Sequence, residues 1–511
     1  MVLLLFTLVN TVFRFINLGY SDFQGDEVSA QNYLFGEQNL IQFLLSRTIG
    51  PLQFIVTYPI NYFFYNKNIN INFLVRLPFM LAGAGVIVAV YILCKKFFSH
   101  KTALYAAFFI SISGLLLAFS RIVQYQSFVI LLSVISVYYF MEYLNKQNKK
   151  YLIICGAVSG VSFLFHYDSL SFIIPIIIFL LLNFKKDLKN ILYFVLPLLF
   201  IGSVFYIPFV FSPTFKETYT YILMDRIQSG FKFDSVYYSI KLLSIYHSKE
   251  FLIIFSIFII YVFIKHIKRF TIFQKSASMF LISVILIRYF CVYQNRTLIY
   301  ISFLLGVILF FSITAGGSKL KRFIFSWFLF SFVSYILFFT KPLTHIYVVF
   351  VPLIIFISIC LKESLFLGIN RIIIYVLLLF MGLSATSYNY QAFINTNPEY
   401  PWFSKRYIFG QMPDEVALGK EVFGIFGFPY YRAWDSISQK VKELDIGCYI
   451  SNEKYRITKY YLQGYDTYAC EPDILIWINK PQNYSDLNKP KTEPLISTDE
   501  YVIYKNNEKT Y

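Results

Sequence analysis

The sequence predicts an all-α polytopic membrane protein, with about 13 spans judged by hydrophobic length, followed by a small C-terminal α/β domain. Three observations predict it. Of the 511 residues, 57% are hydrophobic and 14% charged, far from the balance of a soluble domain. Apolar runs recur from the N-terminus to residue 388. Beyond that point the chain turns polar, and its apolar residues fall into short strand-like and helix-like patterns.

The charge agrees with a membrane chain. There are 45 Lys+Arg against 28 Asp+Glu, a net charge of +17. From residue 389 onward the count is 14 basic and 16 acidic, which leaves 31 basic and 12 acidic residues before it. The excess therefore lies between apolar runs, where bases orient spans. A nucleic-acid partner is excluded on that distribution; membrane lipids are the implied surroundings.

The first span is expected over 1–19, with Arg14 in its later part. It has no basic leader and no small-residue cleavage site, so it reads as a retained span. An outer loop over 20–72 follows, with a surface helix expected from Gly50-Pro51 to Tyr65. Further spans are expected at 73–94, 102–119, 126–144, 151–165, 169–184, 190–211, 250–264, 276–290, 298–315, 323–339, 346–361 and 372–388. Alternate connections carry Lys and Arg clusters and become cytoplasmic; the others, and the tail after an odd number of spans, face outward. The domains are thus 1–388 in the cell (cytoplasmic) membrane and 389–511 outside it. The face Gly156-Ala157-Val158-Ser159-Gly160 suits close helix packing.

In the tail, Gly447 to Ser451, Asp473 to Ile478 and Tyr501 to Tyr504 read as strands, while Asp435 to Leu444 and Lys454 to Gln463 read as helices. Cys94, Cys155, Cys291 and Cys360 sit in or beside apolar runs as small buried side chains. Cys448 and Cys470 can pair if the tail is outside. His247 and His266 read as solvated.

The polar run Tyr20 to Glu27 is the place for chemistry. Gly25 permits a tight turn. Asp26 and Glu27 follow as adjacent carboxylates beside a hydrocarbon phase, where an ionisable side chain is costly unless used. A carboxylate there can accept a proton from an attacking hydroxyl or amine. Topology gathers further polar groups at the same face: Arg14, Arg76, Arg121, Gln124, Tyr125, His166, Asp168, Arg226, Arg296, Lys341 and His345. Such a set suits an anionic, lipid-linked substrate whose phosphate binds the cations. No Walker A loop and no GxGxxG opening a soluble βαβ unit occurs. Two adjacent acids do not by themselves make a metal site, so no cofactor is certain and a divalent metal stays open.

The order of these marks resembles the GT-C membrane glycosyltransferases, in particular the protein O-mannosyltransferase and aminoarabinose transferase branch. The marks are Arg14 late in the first span, the outward loop with Asp26-Glu27, and Arg76-Leu77-Pro78 opening the next span. The corners Ser120-Arg121…Gln124-Tyr125 and His166-Tyr167 follow, then Lys341-Pro342…His345-Ile346-Tyr347…Pro352. The resemblance implies transfer of a sugar from a polyprenyl-phosphate donor to a lipid, glycan or protein acceptor outside the cytoplasmic membrane. By it, Asp26 is the general base and Glu27 orients the acceptor or assists. Arg14, Arg76, Arg121, Gln124, Tyr125, His166, Arg226, Lys341 and His345 would bind substrate. The chain departs from the pattern at His166, where relatives often carry Lys, and at Arg226, about one helical turn from the expected place. A flippase or transporter, or a polymerase or ligase of lipid-linked glycans, is the alternative; internal repeats and mid-span charges, the usual marks of transport, are not seen.

Overall fold

A computed structural model describes residues 1–31, 39–47, 50–64, 69–183, 189–220, 242–267, 318–338, 343–364, 371–397, 399, 406–407, 410–411, 426–465, 471–482, 487, 489–490 and 492–505. It is mostly helical. Among the described residues, four helices are long and apolar enough to cross a membrane: Ile71–Phe97, Gln126–Lys146, Lys189–Val210 and Ile372–Ile394. The expected runs at 276–290 and 298–315 lie outside the described residues, as do Arg226, Arg296, Lys341 and Cys291.

The first span is shorter than expected. Its helix is Val2–Val12, and the chain then turns, with Asn17 at φ 55° in the left-handed region. The buried Arg14 sits beyond the last helical residue, where it caps carbonyls instead of continuing an apolar face. The run at 102–119 also differs. It is two helices, His100–Ile112 and Gly114–Phe119, because the Ser113 hydroxyl accepts the Leu116 amide and starts a new helix. His247 is buried rather than solvated, with Nε2 3.0 Å from Ser113 Oγ and its ring stacked on Phe251. The side chain of His266 lies outside the described residues.

Small residues allow two helices to meet closely. A Cβ on Gly156 would come within 2.1 Å of the Phe194 carbonyl oxygen, and one on Gly160 within 3.0 Å of that of Leu198. Lys149–Phe165 therefore lies against Lys189–Val210, as the small-residue face requires.

The tail folds as a four-stranded mixed sheet. Tyr449–Ser451 pairs in parallel with Ile474–Ile478, which pairs antiparallel with Tyr501–Lys505, and Ile496–Ser497 closes the edge. Helices Trp434–Glu443 and Tyr455–Tyr461 pack on it. Cys448 is disulfide-bonded; Cys470 lies outside the described residues. Cys94, Cys155 and Cys360 are free and buried.

The tail shares its hydrophobic core with the loop that follows the first helix. Phe23, Val28 and Ala30 of that loop pack in one cluster with Trp434, Ile457, Tyr460 and Ile476. Polar bonds follow the same line. Asp22 donates its amide to the Tyr430 carbonyl (2.9 Å), and its Oδ2 accepts the Arg432 amide (2.6 Å). The loop is thereby clamped between the bundle and the sheet.

Two predictions follow from the clamp. Gly427 has φ +86°, and a Cβ there would stand 2.7 Å from Ala118 Cα. Gly427→Ala should cost about 2 kcal/mol in strain and lower the Tm of detergent-solubilised protein. Burial pushes the Asp22 carboxyl up to about 7, against bonds from the Arg432 and Trp434 backbone that lower it. A raised acid pKa means the folded state holds the proton more tightly, so the stability Asp22 contributes is full below pH ~4 and is lost as pH rises through 7. Asp22→Asn should flatten the pH dependence of Tm between those values; an unchanged slope would contradict the assignment.

Candidate active site

The acidic loop forms one short helix, Gly25–Ser29. It starts with a capping box: the Gln24 amide donates to Glu27 Oε2 (3.1 Å), and the Gln24 side chain accepts from the Glu27 amide. Adjacent residues on a helix point roughly 100° apart. Here that separates the two carboxylates. Glu27 turns inward and is 1% exposed, whereas Asp26 is exposed.

Glu27 is fully engaged. Arg76 Nε donates to its Oε1 and Arg76 Nη2 to its Oε2, both at 2.8 Å, a bidentate pair. The Val123 amide donates to Oε1 at 3.0 Å. Arg76 Nη1 donates to the carbonyls of Leu18 and Ser21, and Nη2 also to that of Asp22. The ion pair thus joins the loop, the second long helix and the corner at 120–125.

Asp26 is held through its backbone: Gln124 Nε2 donates to its carbonyl at 2.8 Å. Its carboxylate has no hydrogen-bond or ionic partner among the described residues. The first-loop helix is also touched by the tail. Gln482 Oε1 accepts the Gly25 amide (2.8 Å), Arg456 Nη1 donates to Ser29 Oγ (3.0 Å), and the Lys454 ammonium would stand 3.6 Å from a Cβ on Gly25. The sequence reading missed Lys454, Arg456 and Gln482. No local signal marks them, because they reach the loop across more than 400 residues of chain.

The other arginines are occupied by main chain. Arg14 Nη1 donates to the Asn10 carbonyl (2.7 Å). Arg121 donates to the carbonyls of Phe13 (2.6 Å), Ile16 (2.8 Å) and Asn17 (3.3 Å), satisfying the turn that follows the first helix.

A second cluster lies beside the same corner. Tyr125 stacks on His166, ring centroids 3.7 Å apart. His345 Nδ1 is 2.6 Å from Asp168 Oδ2, which also accepts the Tyr347 hydroxyl at 2.7 Å. His166 Nδ1 is 3.2 Å from Asp168 Oδ1. The corner therefore touches both groups, Asp26 through Gln124 and the histidines through Tyr125. Of the residues expected at the site, Asp26, Glu27, Arg76, Gln124, Tyr125, His166 and His345 come together around it. Arg121 lines one cavity with Asp22, Gln24, Glu27 and Arg76, Arg14 is buried just past the first helix, and Arg226 and Lys341 are outside the described residues.

Residues 66–211 match the family described as dolichyl-phosphate-mannose-protein mannosyltransferase, a segment that holds Arg76, Arg121, Gln124, Tyr125, His166 and Asp168 but not Asp26. That match is a likeness over this segment of the helical bundle. In fold the chain is similar to ArnT from Cupriavidus metallidurans bound to undecaprenyl phosphate: 98% of this chain and 97% of that one are covered, with TM-score 0.53 and 11% identity. The oligosaccharyltransferase of Archaeoglobus fulgidus in the apo form is more distant, covering 96% of this chain and 61% of that one with TM-score 0.40 and 14% identity. No curated protein sequence matches the chain significantly.

Removing one partner of a buried, fully bonded ion pair strands the other. Arg76→Met should therefore destabilise the protein by about 3–5 kcal/mol, seen as loss of monodisperse protein on extraction. Arg76→Ala paired with Glu27→Ala should recover part of that loss.

Proposed function

We propose that the protein transfers a sugar from a polyprenyl-phosphate donor to an acceptor at the outer face of the membrane, with Asp26 as the general base. The observation that carries this reading is the asymmetry of the acidic pair. Glu27 is consumed by Arg76 and the main chain, while the neighbouring Asp26 presents an unpartnered carboxylate at the loop surface.

In the proposed reaction the acceptor hydroxyl or amine gives its proton to the Asp26 carboxylate as its oxygen or nitrogen attacks the anomeric carbon. The bond from that carbon to the phosphate oxygen breaks on the opposite side, and the polyprenyl phosphate leaves with the electron pair. Attack opposite the leaving group inverts the anomeric centre, through an oxocarbenium-like transition state. Glu27 serves by fixing the helix from which Asp26 projects, and Gln124 by holding the Asp26 carbonyl. Cations that neutralise the leaving phosphate lower the barrier; Arg226 and Lys341 keep that assignment, and Lys454 and Arg456 join them from the tail. The ArnT structure holds undecaprenyl phosphate, which supports a donor of that kind.

The test is Asp26→Asn, expressed in membranes and scored by mass spectrometry of surface glycans and glycolipids. Transfer should fall by roughly 10²–10⁴-fold, with extraction behaviour and Tm unchanged because the carboxylate makes no described contact. Full activity in the folded variant would remove the proposed base.

A further inference from the structure

We propose that His166, Asp168 and His345 form a binding site for a divalent transition cation of the Zn²⁺ or Mn²⁺ kind. The site deepens the glycosyltransferase reading and rests on it for its role: the ion would hold the donor's phosphate.

The three residues come from two corners far apart in the chain, and all are buried, at 2%, 4% and 7% exposure. One ligand atom from each lies within 4.8 Å of the others. Each corner is set by local structure. His166 ends the helix Lys149–Phe165 with extended backbone, and a short 3-10 turn, Tyr167–Ser169, then brings Asp168 back beneath it. Stacking on Tyr125 fixes the His166 ring. His345 closes a 3-10 turn just before the helix Tyr347–Ser364.

The hydrogen bonding leaves a gap that an ion would fill. His166 Nδ1 accepts the Asp168 amide (3.1 Å), so this nitrogen bears a lone pair and cannot also donate to Asp168 Oδ1, which it faces at 3.2 Å. Asp168 Oδ1 is buried and has no hydrogen-bond donor among the described residues. The unbonded carboxylate oxygen thus sits in a dry site without a donor, and a cation held there, with the imidazoles as co-ligands, would satisfy it.

The donor set narrows the ion. Two imidazoles and one carboxylate suit borderline divalent metals better than magnesium or calcium, which prefer all-oxygen sets. Three protein ligands leave a coordination position open for an outside oxygen. An oxygen of the donor's phosphate is the ligand that position would take. Tyr347, bonded to Asp168 Oδ2, would orient the carboxylate.

The experiment uses the full chain in detergent, stripped with EDTA and titrated with Co²⁺, whose visible absorption reports its coordination. One equivalent should bind with ligand-field bands, and Zn²⁺ should displace it. Asp168→Asn and His345→Ala should each weaken binding by at least roughly tenfold. Absence of stoichiometric binding by the unmodified protein, which needs no variant to fold, overturns the site. So do variants that run as monodisperse protein and bind Co²⁺ as the parent does. A second arm measures undecaprenyl phosphate binding with and without Zn²⁺. Tighter binding with the metal supports the phosphate role, and equal affinity overturns it. If Zn²⁺ binds but undecaprenyl phosphate does not, the donor reading fails while the metal site stands.

Discussion

The ion pair between Glu27 and Arg76 is the constraint on which the acidic first loop and its neighbours depend. Both side chains are almost wholly buried, at 1% and 3% exposure. Taking two such charges out of water costs several kcal/mol per ion, and their attraction repays it only when the remaining lone pairs and protons are satisfied. Here they are. Glu27 accepts from Arg76, Gln24 and Val123, and Arg76 donates onward to three carbonyls of the turn at 18–22. Loosening any one of these bonds would strand a buried charge. Three elements far apart in the chain are thereby locked together. The same pair fixes the inner face of the Gly25–Ser29 helix, and Asp26 projects from it about 100° away from Glu27.

Much of this was legible in the sequence, and the parts that were not share a physical cause. Hydrophobic length marked the helices at 126–144, 190–211 and 372–388 because span length is a property of consecutive residues. The small residues at 156–160 announced a close helix contact for the same reason. The alternation in the tail located its three longest strands. Helix ends were less legible. The first helix stops at Val12 and another restarts after Ser113 because backbone groups there find partners in Arg121 and a serine hydroxyl. Those partners satisfy a geometric need that hydropathy does not register. The residues of the site were legible as types but not as roles. Arg14, Arg76 and Arg121 were marked as cations expected at one face; what each one bonds to is decided by contacts spanning from a few residues to over a hundred.

The boundary near residue 388 is sharp in composition and absent in packing. Side chains of the first loop and of the tail fill one apolar cluster, and Asp22, Ser21 and Gly25 bond directly to tail residues. A loop of this length pays a large conformational entropy when ordered. The tail offsets that cost by supplying the second wall of its core. It therefore takes part in holding Asp26 in place, whatever else it binds.

The distribution of positive charge bears most directly on mechanism. The leaving phosphate of the proposed reaction needs cationic partners, and a simple inventory of the arginines near the first loop offers several. Three of those arginines are engaged elsewhere: Arg14 and Arg121 neutralise carbonyl dipoles, and Arg76 neutralises Glu27. A guanidinium buried among carbonyls still contributes to the field at the mouth, but the N–H groups it gives to those carbonyls are not available to a phosphate oxygen. Gripping requires an unfilled donor or coordination position. The proposals above supply these in two forms: the tail's Lys454 and Arg456 flanking the Asp26 helix, and a cation at the site proposed for His166, Asp168 and His345. The two act differently. Lysine and arginine bind an anion through mobile, solvated charges that salt screens, whereas a coordinated ion presents a fixed charge in a dry site where it is screened far less. A reaction that separates charge beside a lipid phase gains more from the second.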